Sequence, residues 1–191
     1  MASAKITVLV SGSGTNLQRL MDVFSQGIIP NAEINLVVAD RPCLGLERAK
    51  NAGIPTVMLT RGESLSRQLL EVVPQETSLI VLAGFLSILS EEFISRFENK
   101  IINIHPSLLP KYGGKGMWGI KVHEAVIENK EKYTGASVHY VTEGIDTGEV
   151  IVQKSLKIMP GESAEQLAKR VLELEYEILP EAVAKVLNSM C

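Results

Sequence analysis

Asn103 and His105 stand two positions apart at the end of the apolar pair Ile101-Ile102, and Pro106 follows at once. In an extended chain, side chains two apart share a face, and a proline that cannot donate to a ladder takes the chain out of the sheet. The amide and the imidazole therefore face a common opening where a short buried strand ends. An amide N–H beside a group that can carry a proton is what a reaction through a tetrahedral oxyanion requires. Pro106 and Pro110 fix the loop after His105, which favours a catalytic histidine over one that is merely hydrogen-bonded.

A second candidate is the loop Ser11-Gly12-Ser13-Gly14-Thr15-Asn16. It follows an apolar, β-branched run at residues 6–10, and Leu17, Leu20, Met21 and Phe24 then repeat at helical spacing. A glycine loop between a strand and a helix turns backbone N–H groups and the positive end of the helix dipole toward one point, where a phosphate is the natural ligand. A tight turn with no ligand is the plain alternative. Asn16 stands where a dinucleotide fingerprint would carry a third glycine, yet Asp40 ends the second strand, where an acid could hold a ribose. Nicotinamide-nucleotide binding is thus the competing reading.

The remaining polar candidates read as ordinary side chains. Asp146 lies in the turn Gly144-Ile145-Asp146-Thr147-Gly148, where a carboxylate commonly bonds nearby N–H groups. His123 falls in a predicted helix as a satisfied polar residue. His139 alternates with Ser137 and Val141 along a strand, where it either lines the site behind the reacting residues or packs, packing being slightly favoured, and Glu175 is one of several acids on the last helix, on a solvated face.

These residues need a frame to hold them. Strands are expected at 6–10, 34–39, 54–59 and 79–83, with helices at 17–24, 44–51 and 65–73 between them and a capped helix starting at Ser90. Apolar strands alternating with helices imply a parallel sheet covered on both faces. After Pro110 the glycine-rich segment 112–119 suits a mobile flap and 120–127 a helix. Strands at 134–142 and 151–158, joined by the turn-rich stretch 143–148, look antiparallel. Ser163 with Gln166 is a capping box, and Leu167, Val171, Leu174 and Ile178 form one apolar stripe.

The chain of 191 residues suits one domain, with residues 1–100 as its phosphate- and nucleotide-binding half and 101–191 as its catalytic half. Acidic residues (22) barely outnumber Lys plus Arg (19), and the charges are scattered, so a small-molecule partner is expected and no nucleic acid. Cys43 and Cys191 are too few for a disulfide framework or a zinc site. The N-terminus lacks signal-peptide features, and the apolar stretch 79–89 is short of the roughly 20 residues a membrane span needs. A cytoplasmic protein is expected, a monomer or a homodimer.

In order and spacing, the glycine loop, the Asn-x-His-Pro-Ser-Leu-Leu-Pro run and the Gly-Ile-Asp-Thr-Gly loop resemble the glycinamide ribonucleotide formyltransferase family. The resemblance covers essentially the whole chain. It implies a single-domain α/β, Rossmann-like three-layer sandwich, mostly parallel with an antiparallel C-terminal portion. It implies transfer of a formyl group from 10-formyltetrahydrofolate to the amine of glycinamide ribonucleotide, a step of purine synthesis, with no metal and no covalent intermediate. By the same resemblance Asn103, His105 and Asp146 are catalytic, His105 as general acid held protonated by Asp146, whose charge raises its pKa. Gly14, Thr15, Asn16 and Glu175 bind the nucleotide substrate, while Arg61, Phe85, Leu86, Ser87, Ile88, Leu89, Asn103 and Val141 bind the folate. The chain departs from its relatives in three places. They carry Met-Arg at Leu86-Ser87, a longer polar residue at Leu172 and Pro-Gly at Gly113-Gly114, while backbone bonds from 86–89 to a pterin ring need no particular side chain. Neighbouring activities on transfer RNA, or in formyltetrahydrofolate hydrolysis, would call for additional domains.

Overall fold

A computed structural model describes residues 3–190, so Cys191 lies outside the described residues. In chain order the elements are β1 (Ala4–Val10), α1 (Thr15–Ser25), β2 (Ala32–Ala39), α2 (Leu44–Asn51), β3 (Thr56–Met58), α3 (Leu65–Val72), β4 (Leu79–Leu82), α4 (Glu91–Arg96) and β5 (Ile101–His105). They continue as α5 (Ile120–Glu128), β6 (Tyr133–Tyr140), β7 (Val150–Lys157) and α6 (Ala164–Ser189). The strands form a single seven-stranded sheet in the order β3-β2-β1-β4-β5-β6-β7. β1 to β5 pair in parallel, and β6 and β7 are antiparallel additions at one edge. The expected Rossmann-like α/β sandwich is the observed fold.

Two apolar clusters cover the sheet. Ile6, Val8 and Val10 of β1, Leu79 and Val81 of β4, and Ile102 and Ile104 of β5 pack with α1 and α6. Leu9, Ile80, Leu82 and Ile101 face the other way, toward Leu65 and Leu69 of α3 and the Phe93–Phe97 pair. This is the period-two alternation of a strand buried on both faces. Ile101 and Ile102 are both essentially inaccessible, and shortening either to alanine should cost about 2–5 kcal/mol.

That alternation aims the reactive residues. Asn103 and His105 follow Ile101 on its face of the sheet, so the expected shared orientation holds, although β5 runs through His105 rather than ending at Ile102. Pro106 then ends the strand as its missing donor requires. β3 is shorter than the expected run at 54–59, being an edge strand with three paired residues that starts only after Pro55.

Sheet order reverses between β1 and β4: β1 leads outward to β2 and β3, β4 outward to β5. The loops after β1 and β4 therefore diverge and leave a crevice at the strand carboxyl ends, where open α/β sheets bind ligands. Ser11 ties the two loops together, its N–H donating to the Gly84 carbonyl (3.1 Å) and its Oγ accepting from the Leu86 N–H (2.9 Å).

Candidate active site

A cleft of about 430 Å³ opens where β4 and β5 end, lined by the loop after β4 and not by the one after β1. Its wall takes in Arg61, residues 85–89, Asn103 and Val141, all expected around one ligand, together with His105, His139 and Asp146.

Asp146 organises the polar end of the cleft. It sits at φ 56° in the loop between β6 and β7, a left-handed conformation that aspartate tolerates in turns. Its Oδ2 accepts from the Gly114 N–H (3.0 Å) and lies 3.6 Å from His105 Nδ1. Its Oδ1 lies 3.5 Å from His139 Nε2 and accepts a long bond (3.4 Å) from Asn103 Nδ2. One carboxylate thus touches a strand residue on either side of the β5–β6 pair and the glycine-rich segment as well. A turn residue satisfied by its own loop would do none of this.

Tautomers follow from the carbonyl partners, because a carbonyl only accepts. His105 Nε2–H donates to the Tyr112 carbonyl (2.8 Å), which leaves Nδ1 facing Asp146 as the position for a second proton. His139 Nδ1–H donates to its neighbour's carbonyl, that of Tyr140 (2.8 Å), so its Nε2 accepts from the Asn103 amide (3.1 Å). His139 is buried beside Asn103 because the two residues are direct partners in the antiparallel register. Of the two sequence readings of His139, the slightly favoured one, packing, gives way to the other: it lines the site and holds the amide. The missing signal was the register, which no single strand pattern reveals.

The charges depart from the sequence reading in one respect. Burial pushes the His105 imidazole below the ordinary histidine value, and the Asp146 charge opposes this without overcoming it. The net direction is downward, not upward as a carboxylate neighbour alone would give. At Asp146 burial acts to raise the carboxyl, but the charge that His105 takes on when protonated and the Gly114 N–H act the other way, and the net direction is below the ordinary carboxylate value. His123 on α5 is buried with Nδ1 unpartnered, and burial, then the proximity of His105, lower its pKa to about 4. It is not the satisfied polar residue the sequence implied.

Gly14, Thr15, Asn16 and Glu175 are absent from the cleft wall and belong to a second group. Asn16 Nδ2 donates to Glu175 Oε2 (2.6 Å), joining the first turn of α1 to the middle of α6. Glu175 is only 9 % exposed, and burial raises its pKa to about 7 against the opposing Asn16 bond. The solvated-face reading fails because Glu175 lies four residues after Val171 and three before Ile178, inside the buried stripe. That spacing was legible in the sequence. α1 starts on Gly14 at φ 68° with no side-chain cap and no acid in its first turn, so its leading N–H groups keep their attraction for an anion.

Asp40 does not offer a ribose site. Its side chain is fully buried, and both oxygens are occupied by Arg41 and Ser87. Among the described residues no group of His, Cys, Asp and Glu has a metal-binding arrangement, and no helix is long and apolar enough to cross a membrane.

A family profile described as Formyl transferase matches residues 4–183. The chain is 40% identical over 183 residues to a phosphoribosylglycinamide formyltransferase of Haemophilus influenzae, covering 92% of this chain and 84% of that protein. It is 35% identical over 189 residues to a chloroplastic phosphoribosylglycinamide formyltransferase of Arabidopsis thaliana, covering 95% of this chain and 65% of the relative. It matches only 14% of the length of a trifunctional purine biosynthetic protein of Drosophila melanogaster, at 38% identity and 96% of this chain. Among solved structures, a glycinamide ribonucleotide transformylase of Geobacillus kaustophilus superposes with a TM-score of 0.87 at 35% identity, covering 97% of this chain and 99% of that one. With nearly its whole length matched by the family profile and its fold shared with these structures, the chain belongs to the formyl transferase family.

Proposed function

We propose that this protein transfers the formyl group of 10-formyltetrahydrofolate to the amino group of glycinamide ribonucleotide; formyl transfer to that nucleotide is what the names of its relatives state for them. The observation that carries this reading is the single Asp146 carboxylate in contact with Asn103, His105 and His139 in the wall of a cleft of about 430 Å³.

In this reading the folate lies along residues 85–89 and Val141, its pterin ring bonded to the backbone there, with Arg61 toward its tail. The nucleotide's phosphate rests on the uncapped start of α1 at Gly14, Thr15 and Asn16, and Glu175 meets the glycinamide part. The amine attacks the formyl carbon, a C–N bond forms, and the carbonyl electrons move to oxygen. Asn103 is suited to that oxyanion because its 3.4 Å bond to Asp146 is weak enough to be exchanged, while the 3.1 Å bond to His139 keeps the amide in place. A proton taken up at His105 Nδ1 is stabilised by Asp146. Collapse breaks the bond to folate N10, which receives the proton the amine has lost. Asp146 is the natural anchor for the water that passes it.

The test is folate product formation with and without glycinamide ribonucleotide. Product that depends on the nucleotide is expected. Equal product in both reactions, or none in either, overturns the reading.

A further inference from the structure

Tyr112 stands at φ 56°, in the left-handed region that a residue with a Cβ rarely adopts and a bulky one less still. Gly113 and Gly114 follow it and would take such a turn at no steric cost, yet the chain sets a tyrosine at the turn itself. The backbone there has a definite task, since the Tyr112 carbonyl accepts the Nε2–H of His105 (2.8 Å). Before it, the segment is held up to Lys111, whose carbonyl accepts from Ser107 Oγ (2.7 Å) and whose N–H donates to the Leu108 carbonyl (3.1 Å). Beyond it, the Gly114 N–H donates to Asp146 Oδ2 (3.0 Å). The peptide between Tyr112 and Gly113 can still rotate within these anchors, and that rotation aims the carbonyl.

The tyrosine side chain supplies the missing constraint. Its ring packs against the apolar cluster that includes Val126 of α5, and its hydroxyl donates to Glu131 Oε1 (3.0 Å). The same oxygen accepts from Lys111 Nζ (2.9 Å). Glu131 is itself fixed in the turn between α5 and β6, its N–H donating to the Val126 carbonyl (3.2 Å). Lys111 first, and then the Tyr112 hydroxyl, hold the Glu131 carboxyl below its ordinary range, so the acceptor is charged at neutral pH. A bond to a charged acceptor is the stronger kind. The ion pair from Lys111, a largely exposed side chain, adds little. The hydroxyl bond is therefore what ties a fixed turn to the strained backbone of Tyr112.

Resting on the formyltransferase reading, we propose that Tyr112 and Glu131 are positioning residues that set where His105 carries its proton. Held in the left-handed turn by its hydroxyl, Tyr112 keeps its carbonyl on Nε2, and the neutral imidazole carries its proton there. Nδ1 stays open toward Asp146, 3.6 Å away, for the proton taken up during transfer. Without the hydroxyl bond the backbone relaxes toward negative φ and the carbonyl swings off Nε2. The imidazole proton then moves to Nδ1, where the Asp146 carboxylate accepts it. A second proton would have to enter at Nε2, turned away from Asp146.

Proton placement is read directly by NMR. In protein labelled with nitrogen-15 histidine, two-bond proton–nitrogen correlation at pH 8 distinguishes the two tautomers, and His105 is neutral there because burial lowers its pKa. His139, tied to the Tyr140 carbonyl, is an internal control. The wild type shows the Nε2–H form at His105. Tyr112→Phe keeps the ring and removes the hydroxyl. It lowers the ratio of Nε2–H to Nδ1–H, and kcat with it, roughly threefold to tenfold, the scale of one net hydrogen bond, while both KM values stay within about twofold. Glu131→Ala acts in the same direction from the other partner. Glu131→Gln keeps an acceptor and stays nearer the wild type, and Lys111→Met changes neither readout. An unmoved His105 tautomer in both Tyr112→Phe and Glu131→Ala overturns the inference, whatever the rate does. A shifted tautomer at full kcat overturns it too, because proton placement would then not govern transfer. A wild type that makes no folate product overturns the formyltransferase reading, while the tautomer populations still decide whether Tyr112 and Glu131 orient His105.

Discussion

His139 Nε2 lies 3.1 Å from Asn103 Nδ2, across the antiparallel pair that the two residues share. With its own Nδ1–H committed to the Tyr140 carbonyl, His139 can only accept from that amide in its neutral form. It thereby fixes which end of Asn103 faces Asp146. We predict that His139→Leu lets the amide rotate and lowers turnover on the order of tenfold to a hundredfold, somewhat less than loss of the amide donor itself. The Michaelis constant for the nucleotide should change little. Steady-state rates of His139→Leu beside Asn103→Ala check this, and full turnover in the histidine variant would return His139 to a packing role.

Asp146→Asn keeps the size of the side chain and much of its bonding to Gly114 while removing the charge. A turn role predicts near-normal activity, an electrostatic role a large loss. The His105 titration separates them independently. Burial already lowers that pKa and Asp146 opposes the burial, so neutralising Asp146 should lower it further. NMR titration of His105 in both proteins measures the shift. An unmoved titration with retained turnover would leave Asp146 as a turn residue.

What could be read in the chain, and what could not, divides along physical lines. Local period and punctuation carried the parallel half: α2 falls on the expected residues, and the Ser90 cap and the Ser163–Gln166 box are both made. The facing of Asn103 and His105 followed from strand alternation alone. The role of His139 did not, because it depends on strand register between distant segments. The net direction at His105 was misjudged for a similar reason. A neighbouring charge can be inferred from a motif, but the desolvation that outweighs it depends on everything packed around the ring. Glu175 was a different kind of miss, since its place in the α6 stripe was available from its spacing.

Gly14 and Gly12 make a contrast within one loop. Gly14 holds φ 68°, and a Cβ there would come 2.5 Å from the Gly45 Cα on α2, a backbone atom with no freedom to retreat. At Gly12 an added Cβ meets nothing within 4 Å. Gly14→Ala should therefore destabilise the fold by about 2 kcal/mol or more, the left-handed cost plus the clash, while Gly12→Ala stays within about 0.5 kcal/mol. Urea unfolding of the two variants tests this. It also means that lost nucleotide binding in a bulky Gly14 variant would report on the α1–α2 contact as much as on phosphate. Equal midpoints for the two variants would contradict the close approach.

Glu175 and His123 give the stability of the fold two opposite pH dependences. The Glu175 pKa is raised from 4.5 to about 7 by burial. The unfolded chain therefore loses this proton from about pH 4.5 upward while the folded protein keeps it, and stability falls as pH rises from there to about 7. His123 is lowered from 6.5 to about 4 by burial and then by His105. Here the unfolded chain gains a proton below about pH 6.5 that the folded protein refuses, so stability falls as pH drops toward 4. Each shift corresponds to a change on the order of 3 kcal/mol across its window. Glu175→Gln should flatten the loss on the rising side while keeping an acceptor for Asn16. His123→Leu should flatten the acid side and cost little near pH 8, because Nδ1 has no hydrogen bond to lose. Urea midpoints of the wild type and both variants between pH 4 and 8 give the slopes directly. If Glu175→Gln leaves the slope between pH 4.5 and 7 as steep as in the wild type, Glu175 ionises in the fold at its ordinary value, and its burial beside Asn16 does not govern its charge.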